Sequence, residues 1–124
     1  MNSEIPGGYA GAVLKVDLSS GKFSRDKPDE TTLRKYIGGT GIGAKYLYDR
    51  VKPGVEWSDP ANVLVMASGP LGGTTVHGSG NFSVITKGPM TNGAAASQAN
   101  GFFGAFLKFC GYDGLVLEGA SKDW

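Results

Sequence analysis

Glycine takes 21 of the 124 positions, about 17% where an average chain has about 7%. These glycines do not form a tract. They cluster at Gly38 to Gly43, Gly69 to Gly80 and Gly88 to Gly104, at the seams between apolar segments. There they permit positive φ or let backbone come close to a neighbouring strand or a ligand.

The remaining composition narrows the class. At 124 residues the chain has the size of one ordinary domain, and it is read as a single domain over 1–124. Area scaling for its 12.9 kDa gives about 6,300 Å² exposed when folded against roughly 18,700 Å² unfolded. A net charge of +1 argues against nucleic acid or anionic lipid as a partner gripped through bulk charge. A hydrophobic share of 40% is too high for a disordered chain. The longest apolar run, Val63 to Ala67, is too short to cross a bilayer. Met1 to Val13 holds no basic segment followed by a long apolar stretch, so a cytoplasmic location without a membrane is expected. One cysteine, Cys110, excludes an internal disulfide, a four-cysteine iron–sulfur cluster and an all-cysteine zinc site built from this chain alone.

Along the chain, Leu14, Val16 and Leu18 alternate with Lys15 and Asp17, and Ser19-Ser20-Gly21 leads into Lys22-Phe23-Ser24, which predicts a β-hairpin. Thr31 is placed as the N-cap of a short helix that carries Leu33, Tyr36 and Ile37 on one face and stops at Gly38. A second helix is expected from about Gly41 to Val51, with Ile42, Tyr46, Leu47 and Val51 on its apolar side. Val63 to Ala67 reads as a strand buried on both faces and Phe82 to Thr86 as another. Between them runs a long Gly/Thr/Ser loop, Gly69 to Gly80, of the kind that serves function or moves. Asn92 to Asn100 reads as a second small-residue loop. It leads into a helix with Phe103, Phe106, Leu107 and Cys110 on one stripe, ended by Gly111 and followed by a strand from Gly114 to Glu118. The closing Ala120 to Trp124 reads as a cut rather than a finished domain edge. The fold class is α+β, β-sheets with a few short helices.

Gly39-Thr40-Gly41-Ile42-Gly43-Ala44 fits the spacing of a dinucleotide fingerprint, but a helical segment precedes it where that motif requires a strand. A helix-to-helix turn is the better reading. The two small-residue loops admit two readings: a cradle of backbone amides for an anionic group such as phosphate, or plain turns with Asn100 capping the helix that follows. His77 has no second histidine and no nearby acid, so it is an ordinary loop residue or a contact to a polar ligand rather than half of a metal site. Cys110, on the apolar stripe, reads as a buried structural thiol. Asn81-Phe82-Ser83 matches a glycosylation acceptor by coincidence, since no secretion signal accompanies it.

Five collinear stretches carry a resemblance. Gly7 to Leu18 with Ser20-Gly21, Ile37 to Gly41, Asn62 to Thr74, Val84 to Thr91, and Gly101 to Asp113 with Glu118-Gly119 together resemble the N-terminal domain of the aldehyde ferredoxin oxidoreductase family, the tungsten-pterin enzymes. The resemblance implies a base on which tungsten or molybdenum rests, held by the dithiolenes of two pterins whose phosphates a Mg²⁺ ion bridges. It implies oxidation of a small-molecule aldehyde to a carboxylic acid, with electrons passed through a 4Fe-4S cluster to ferredoxin. The cluster and the substrate pocket belong to remaining domains or subunits of the parent enzyme, beyond Trp124, so this chain alone is not expected to turn over an aldehyde and no catalytic residue is assigned in it.

By that resemblance the cofactor-binding residues are Gly78, Ser79, Gly80, Asn81, Gln98, Asn100 and Gly101, with Lys87 as a candidate cation that also reads as a solvated strand-end lysine. Gln98 stands where the family supplies a backbone carbonyl to the magnesium. Asn81 stands where well-studied members place an arginine for the pterin phosphates, which removes a fixed charge. The alternative is a non-catalytic assembly or scaffold subunit that kept the fold.

Overall fold

The structure is a computed structural model that describes residues 5–123. The chain opens with a hairpin of β1 (Val13–Asp17) and β2 (Lys22–Asp26), paired so that Val16 faces Phe23. Its turn closes on a left-handed Gly21 at φ 68°. The Asp17 carboxylate accepts from Ser20 Oγ at 2.6 Å and from the Ser19 amide at 2.9 Å, which holds that carboxyl below the usual aspartate range.

Helix α1 (Glu30–Tyr36) is capped by Asp29, whose Oδ1 accepts from the Thr32 amide at 2.7 Å. The cap is therefore Asp29 and not Thr31, because the aspartate two residues earlier supplies a charged acceptor to the orphan amides. That bond also lowers the Asp29 carboxyl from its ordinary value. A carboxyl depressed in the folded state stabilises above its unfolded pKa, and the contribution is lost as pH falls through the folded value. Asp29→Ala is thus expected to lower the melting temperature at neutral pH and to lose that difference in acid, which thermal unfolding at pH 7 and in the acid range checks.

Between α1 and α2 (Gly39–Arg50) the chain turns at Ile37, with φ 62° and ψ −72°. The Gly38 amide donates to the Tyr36 carbonyl at 2.7 Å, closing a γ-turn of the strained hand. Ile37 is consequently 59% exposed instead of sharing the buried face of Leu33. Gly43 sits on α2 where it meets Ile85: an added Cβ would lie 2.2 Å from Ile85 Cδ1. The glycine lets the helix settle against the sheet.

The remaining strands are β3 (Val63–Ser68), β4 (Phe82–Lys87), β5 (Ala94–Ala99) and β6 (Gly114–Glu118), with α3 (Phe103–Phe109) between the last two. They form one six-stranded mixed sheet in the order β2-β1-β6-β3-β4-β5, in which only β1 and β6 run parallel. This is an α+β architecture. β5 lies where the sequence reads as a loop: its run of alanines carries no strand propensity, and the ladder with β4 recruits it.

The core lies on one side of this sheet. Val13, Val63, Val65, Ala67, Ile85 and Val116 are buried there under Leu33, Ile42, Tyr46 and Leu47 of the helices. On the opposite side Leu14, Val16, Leu64, Met66, Val84, Leu115 and Leu117 are only half-buried, and the register joins them into one apolar face. Phe23, beside Val16, is 78% exposed. β3 is therefore buried on one face and not on both, because helices cover only one side. The chain exposes 7830 Å², about 1,500 Å² above the roughly 6,300 Å² that area scaling gives for its mass.

Helix α3 sits at the end of the sheet where β3 stops and β4 starts. Its Phe103 ring lies 4.7 Å from that of Phe82, and Gly104 packs on the carbonyls of Gly80 and Asn81. Phe102, Phe106 and Phe109 face outward, with Phe106 meeting each of the other two edge to face. Of the stripe that reads as core, Phe106 therefore faces solvent, whereas Phe103 rests on Phe82 and Leu107 is half-buried. Cys110, at its end, is exposed for the same reason. Among the described residues no helix is long and apolar enough to cross a membrane.

Candidate functional site

Several glycine-rich segments meet at that end of the sheet: Gly38-Gly39 at the start of α2, the β3–β4 loop, and Asn100-Gly101 ahead of α3. Backbone approach, not side-chain chemistry, brings them together. A Cβ on Gly38 would lie 2.7 Å from the Gly69 Cα and from the Ser68 carbonyl, and one on Gly80 would lie 1.9 Å from the Gly101 carbonyl.

Within the β3–β4 loop, Ser79 Oγ donates to the Thr74 carbonyl at 2.7 Å and the Gly73 amide donates to the Ser79 carbonyl at 3.0 Å. The Asn81 amide closes a turn on the Gly78 carbonyl at 3.1 Å, around a left-handed Gly78 at φ 82°. Across the sheet, Phe82 pairs with Ala99 and Ser83 with Gln98. That pairing sets Gln98, Asn100 and Gly101 beside Gly78 to Asn81. Asn100 Oδ1 accepts from the Gly101 amide at 2.8 Å, and α3 begins at Phe103 with no side-chain cap, so Asn100 shapes its own turn instead of capping the helix. Gly78, Asn81, Gln98, Asn100 and Gly101 are exposed, and Ser79 and Gly80 are half-buried. His77 is an exposed residue of the same loop.

Lys87 stands apart from these residues. It ends β4, about 17 Å along the strand from Phe82 at the usual rise, and its Nζ donates to the Val55 carbonyl. The cation nearer the glycine-rich end is Lys108, which is ion-paired with Asp113 and donates to the Gly8 carbonyl at 2.7 Å.

Two concavities lie elsewhere. A groove of about 900 Å³ runs beside α2 and includes Lys87 and Ala94. A hollow of about 680 Å³ at the far end of the sheet gathers Asp17, Asp26, Asp49 and Glu118 around Arg50. Arg50 bonds Glu118 at 2.8 Å and Tyr46 donates to Asp26 at 2.6 Å. Burial, and then the bond to Asp26, push the Tyr46 phenol well above its ordinary range, so it stays protonated at neutral pH. The sequence shows neither concavity, since each draws on residues far apart in the chain.

The polar groups at the glycine-rich end are amide donors, carbonyl acceptors and neutral side chains, with no carboxylate among Gly78 to Asn81 or Gln98 to Gly101. Nothing lies within 4 Å of where a Cβ on Gly101 would stand. Open space in front of a left-handed glycine, flanked by neutral donors, suits a phosphate-bearing group and a carbonyl-ligated Mg²⁺.

Fold and site together define an α+β domain that presents backbone at the end of a sheet covered by helices on one side only. The chain belongs to the aldehyde ferredoxin oxidoreductase family, and a family model described as "Aldehyde ferredoxin oxidoreductase, N-terminal domain" matches residues 13–124. It is 38% identical over 112 residues to a tungsten-containing aldehyde ferredoxin oxidoreductase of Pyrococcus horikoshii, covering 90% of this chain and 18% of that protein. It is 33% identical over 117 residues to a protein of Pyrococcus furiosus named "Aliphatic sulfonate oxidoreductase, WOR-like subunit", covering 92% of this chain and 18% of that one. Among solved structures it is similar to a chain of the active site complex BamBC of benzoyl coenzyme A reductase with bound 1,5-dienoyl-CoA. The TM-score is 0.91 and the identity 39%, over 94% of this chain and 18% of that one. The chain thus spans less than a fifth of the length of these relatives.

Proposed function

We propose that residues 1–124 act as one cofactor-binding domain of a tungsten-containing (or molybdenum-containing) aldehyde:ferredoxin oxidoreductase-like enzyme. The reaction of that enzyme converts an aldehyde and water to a carboxylic acid, two protons and two electrons, the electrons leaving through a 4Fe-4S cluster to ferredoxin. Cluster, substrate pocket and ferredoxin contact belong to polypeptide that this chain does not span. When bound, the bis-pterin metal centre supplies the two-electron redox chemistry.

In this reading the chain's own residues bind and orient. The amides of Gly78, Gly80 and Asn100, which donate to no acceptor among the described residues, and the Asn81 side-chain amide donate to the pterin phosphates, Gly101 leaves the space open, and the Gln98 carbonyl serves the Mg²⁺. The observation that carries this reading is the approach of Gly80 to Gly101, which joins the segments flanking the β4–β5 pair into one neutral surface. Lys87, at the opposite end of β4, is left outside that surface. The half-buried apolar face of the sheet supports a role inside a larger assembly.

Metal analysis tests the reading. The chain is co-expressed anaerobically, with tungstate and molybdate supplied, alongside the polypeptide that completes the enzyme. A stoichiometric tungsten or molybdenum ion with pterin in the purified complex is the expected result, and a complex free of both overturns it. The second reading, a scaffold subunit without cofactor, is favoured by one observation: Asn81 stands where the resemblance implies an arginine. Asn81→Arg restores a charge-assisted donor and is expected to tighten retention of the pterin phosphates by about tenfold, measured as metal and pterin kept through gel filtration. A scaffold shows no gain from that substitution.

A further inference from the structure

Helix α3 turns aromatic rings, not polar groups, toward water. Phe102, just ahead of it, is 80% exposed, Phe106 is 57% and Phe109 is 66%. Phe106 lies between the other two, its ring centroid 6.1 Å from that of Phe102 and 5.7 Å from that of Phe109. From Phe102 to Cys110 the one charged residue is Lys108, and its side chain is only 8% exposed because it pairs inward with Asp113. The solvent side of a surface helix is normally its charged side. Here that order is inverted.

At about 200 Å² per phenylalanine these exposures leave roughly 400 Å² of aromatic surface in water. That matches the largest apolar patch of an ordinary monomer, about 300–600 Å², which is often a contact site. The row is also fixed in place beside the cofactor seat. Gly104 packs on the Gly80 and Asn81 carbonyls, and the Phe109 ring lies against Gly73 of the β3–β4 loop, 2.9 Å from where a Cβ would stand. The same loop exposes Leu71 and Val76. An apolar margin thus adjoins the neutral surface of Gly78 to Asn81 and Asn100-Gly101.

Area and position decide between occupants. A second copy meeting the row through its own would bury about 400 Å² on each side, half of the roughly 800 Å² that each partner gives to a stable interface. Binding to an anionic membrane surface draws on basic residues beside the apolar face, and no basic side chain of this segment faces water. A body that covers both the row and the adjoining seat reaches the needed area, since the chain exposes about 1,500 Å² more than area scaling gives for its mass. The relatives, of which this chain covers 18%, hold ample further polypeptide.

We propose that Phe102, Phe106 and Phe109 form the joint at which the remaining polypeptide of the enzyme docks beside the cofactor seat. The partner surface is an uncharged apolar hollow that takes the Phe106 ring at its centre, the place where aromatic anchors concentrate binding energy. The closed joint keeps water from the edge of the seat. This docking rests on the reading that further enzyme polypeptide completes the seat, and it names the surface used.

The chain is co-expressed with the Pyrococcus horikoshii relative lacking the 112 residues matched here, with neither tungstate nor molybdate added. Complex and free chain are oxidised with hydroxyl radicals and compared by mass spectrometry. Reactivity of the three phenylalanines is expected to fall about tenfold in the complex, while Tyr48 on α2, 86% exposed, stays unchanged. Phe106→Ala is expected to weaken the complex about thirtyfold and to leave the melting temperature of the free chain within about 5 °C. Phe106→Leu is expected to recover most of the lost affinity. Four results overturn the proposal: no complex at about 50 μM, rings as reactive in the complex as in the free chain, protection in the free chain that rises with its own concentration, or protection of the free chain by phosphatidylcholine vesicles. Failed metal loading leaves the joint standing, because the assay contains no metal, whereas a metal-loaded complex with reactive rings removes the joint alone.

Discussion

Asp113→Ala is expected to destabilise the chain by about 3–5 kcal/mol, the usual cost of leaving one member of a buried pair alone. Asp113 is 2% exposed. Its carboxylate accepts from the Ala10 amide at 2.9 Å and the Gly11 amide at 2.7 Å, and it pairs with Lys108, itself largely buried. Its backbone joins the same junction, the amide donating to Ala12 and the carbonyl accepting from Ser68. One side chain thus ties the N-terminal segment, α3 and the head of the sheet together. Removing it strands two amides and an ammonium in low dielectric. Lys108→Met is expected to cost clearly less, since Asp113 keeps both amide donors. Urea unfolding of both variants checks the order, and an Asp113→Ala protein within about 1 kcal/mol of wild type would refute the account.

The second large effect concerns the seat of α2. Gly43→Ala gains roughly 1 kcal/mol of helix propensity, yet it puts a methyl 2.2 Å from Ile85 Cδ1 and 2.7 Å from Ile85 Cγ1, on a side chain 1% exposed. Overpacking of this kind costs about 1–3 kcal/mol and wins over the gain. Ile85→Ala alone is expected to cost about 2–5 kcal/mol by leaving a cavity. Combined, the two changes should interact favourably by at least about 1 kcal/mol, because the new methyl enters space that the isoleucine vacated. A double-mutant cycle showing simple additivity would mean that α2 is free to ride up off the sheet.

Both sites bear on what the sequence alone could reveal. The hairpin was legible because Leu14 and Val16 alternate and Ser20-Gly21 punctuates them. Helix α2 was legible from Ile42, Tyr46 and Leu47. β5 was not, because alanine and serine carry no period-two signal and their strand exists only through pairing with β4. The helical period of Phe103, Phe106, Leu107 and Cys110 was plain, but a stripe does not announce what it faces, and here Phe106 and Cys110 face water while Phe103 rests on Phe82. Ile37 failed for a local reason: the strained turn rotates it off the face that its spacing assigns. The candidate loops stood out by their glycines. Their meeting through Gly80 and Gly101 did not, since it depends on β5 pairing with β4, and β5 carries no strand signal in the sequence. Nearness in sequence grouped Lys87 with Asn81, whereas a strand holds its two ends far apart. The acidic hollow draws on four separate elements and left no linear trace.

The sheet with one bare side also shapes the thermodynamics of the chain. Heat capacity and denaturant sensitivity of unfolding both scale with the apolar surface newly hydrated, and here the outer half of every strand is already partly wet before the chain opens. A calorimetric step below the roughly 1.5–1.9 kcal/mol/K typical of 124 residues follows, together with a shallow urea slope. The stability curve is correspondingly flat, so warming or cooling by tens of degrees changes the folded fraction less than chain length alone would suggest.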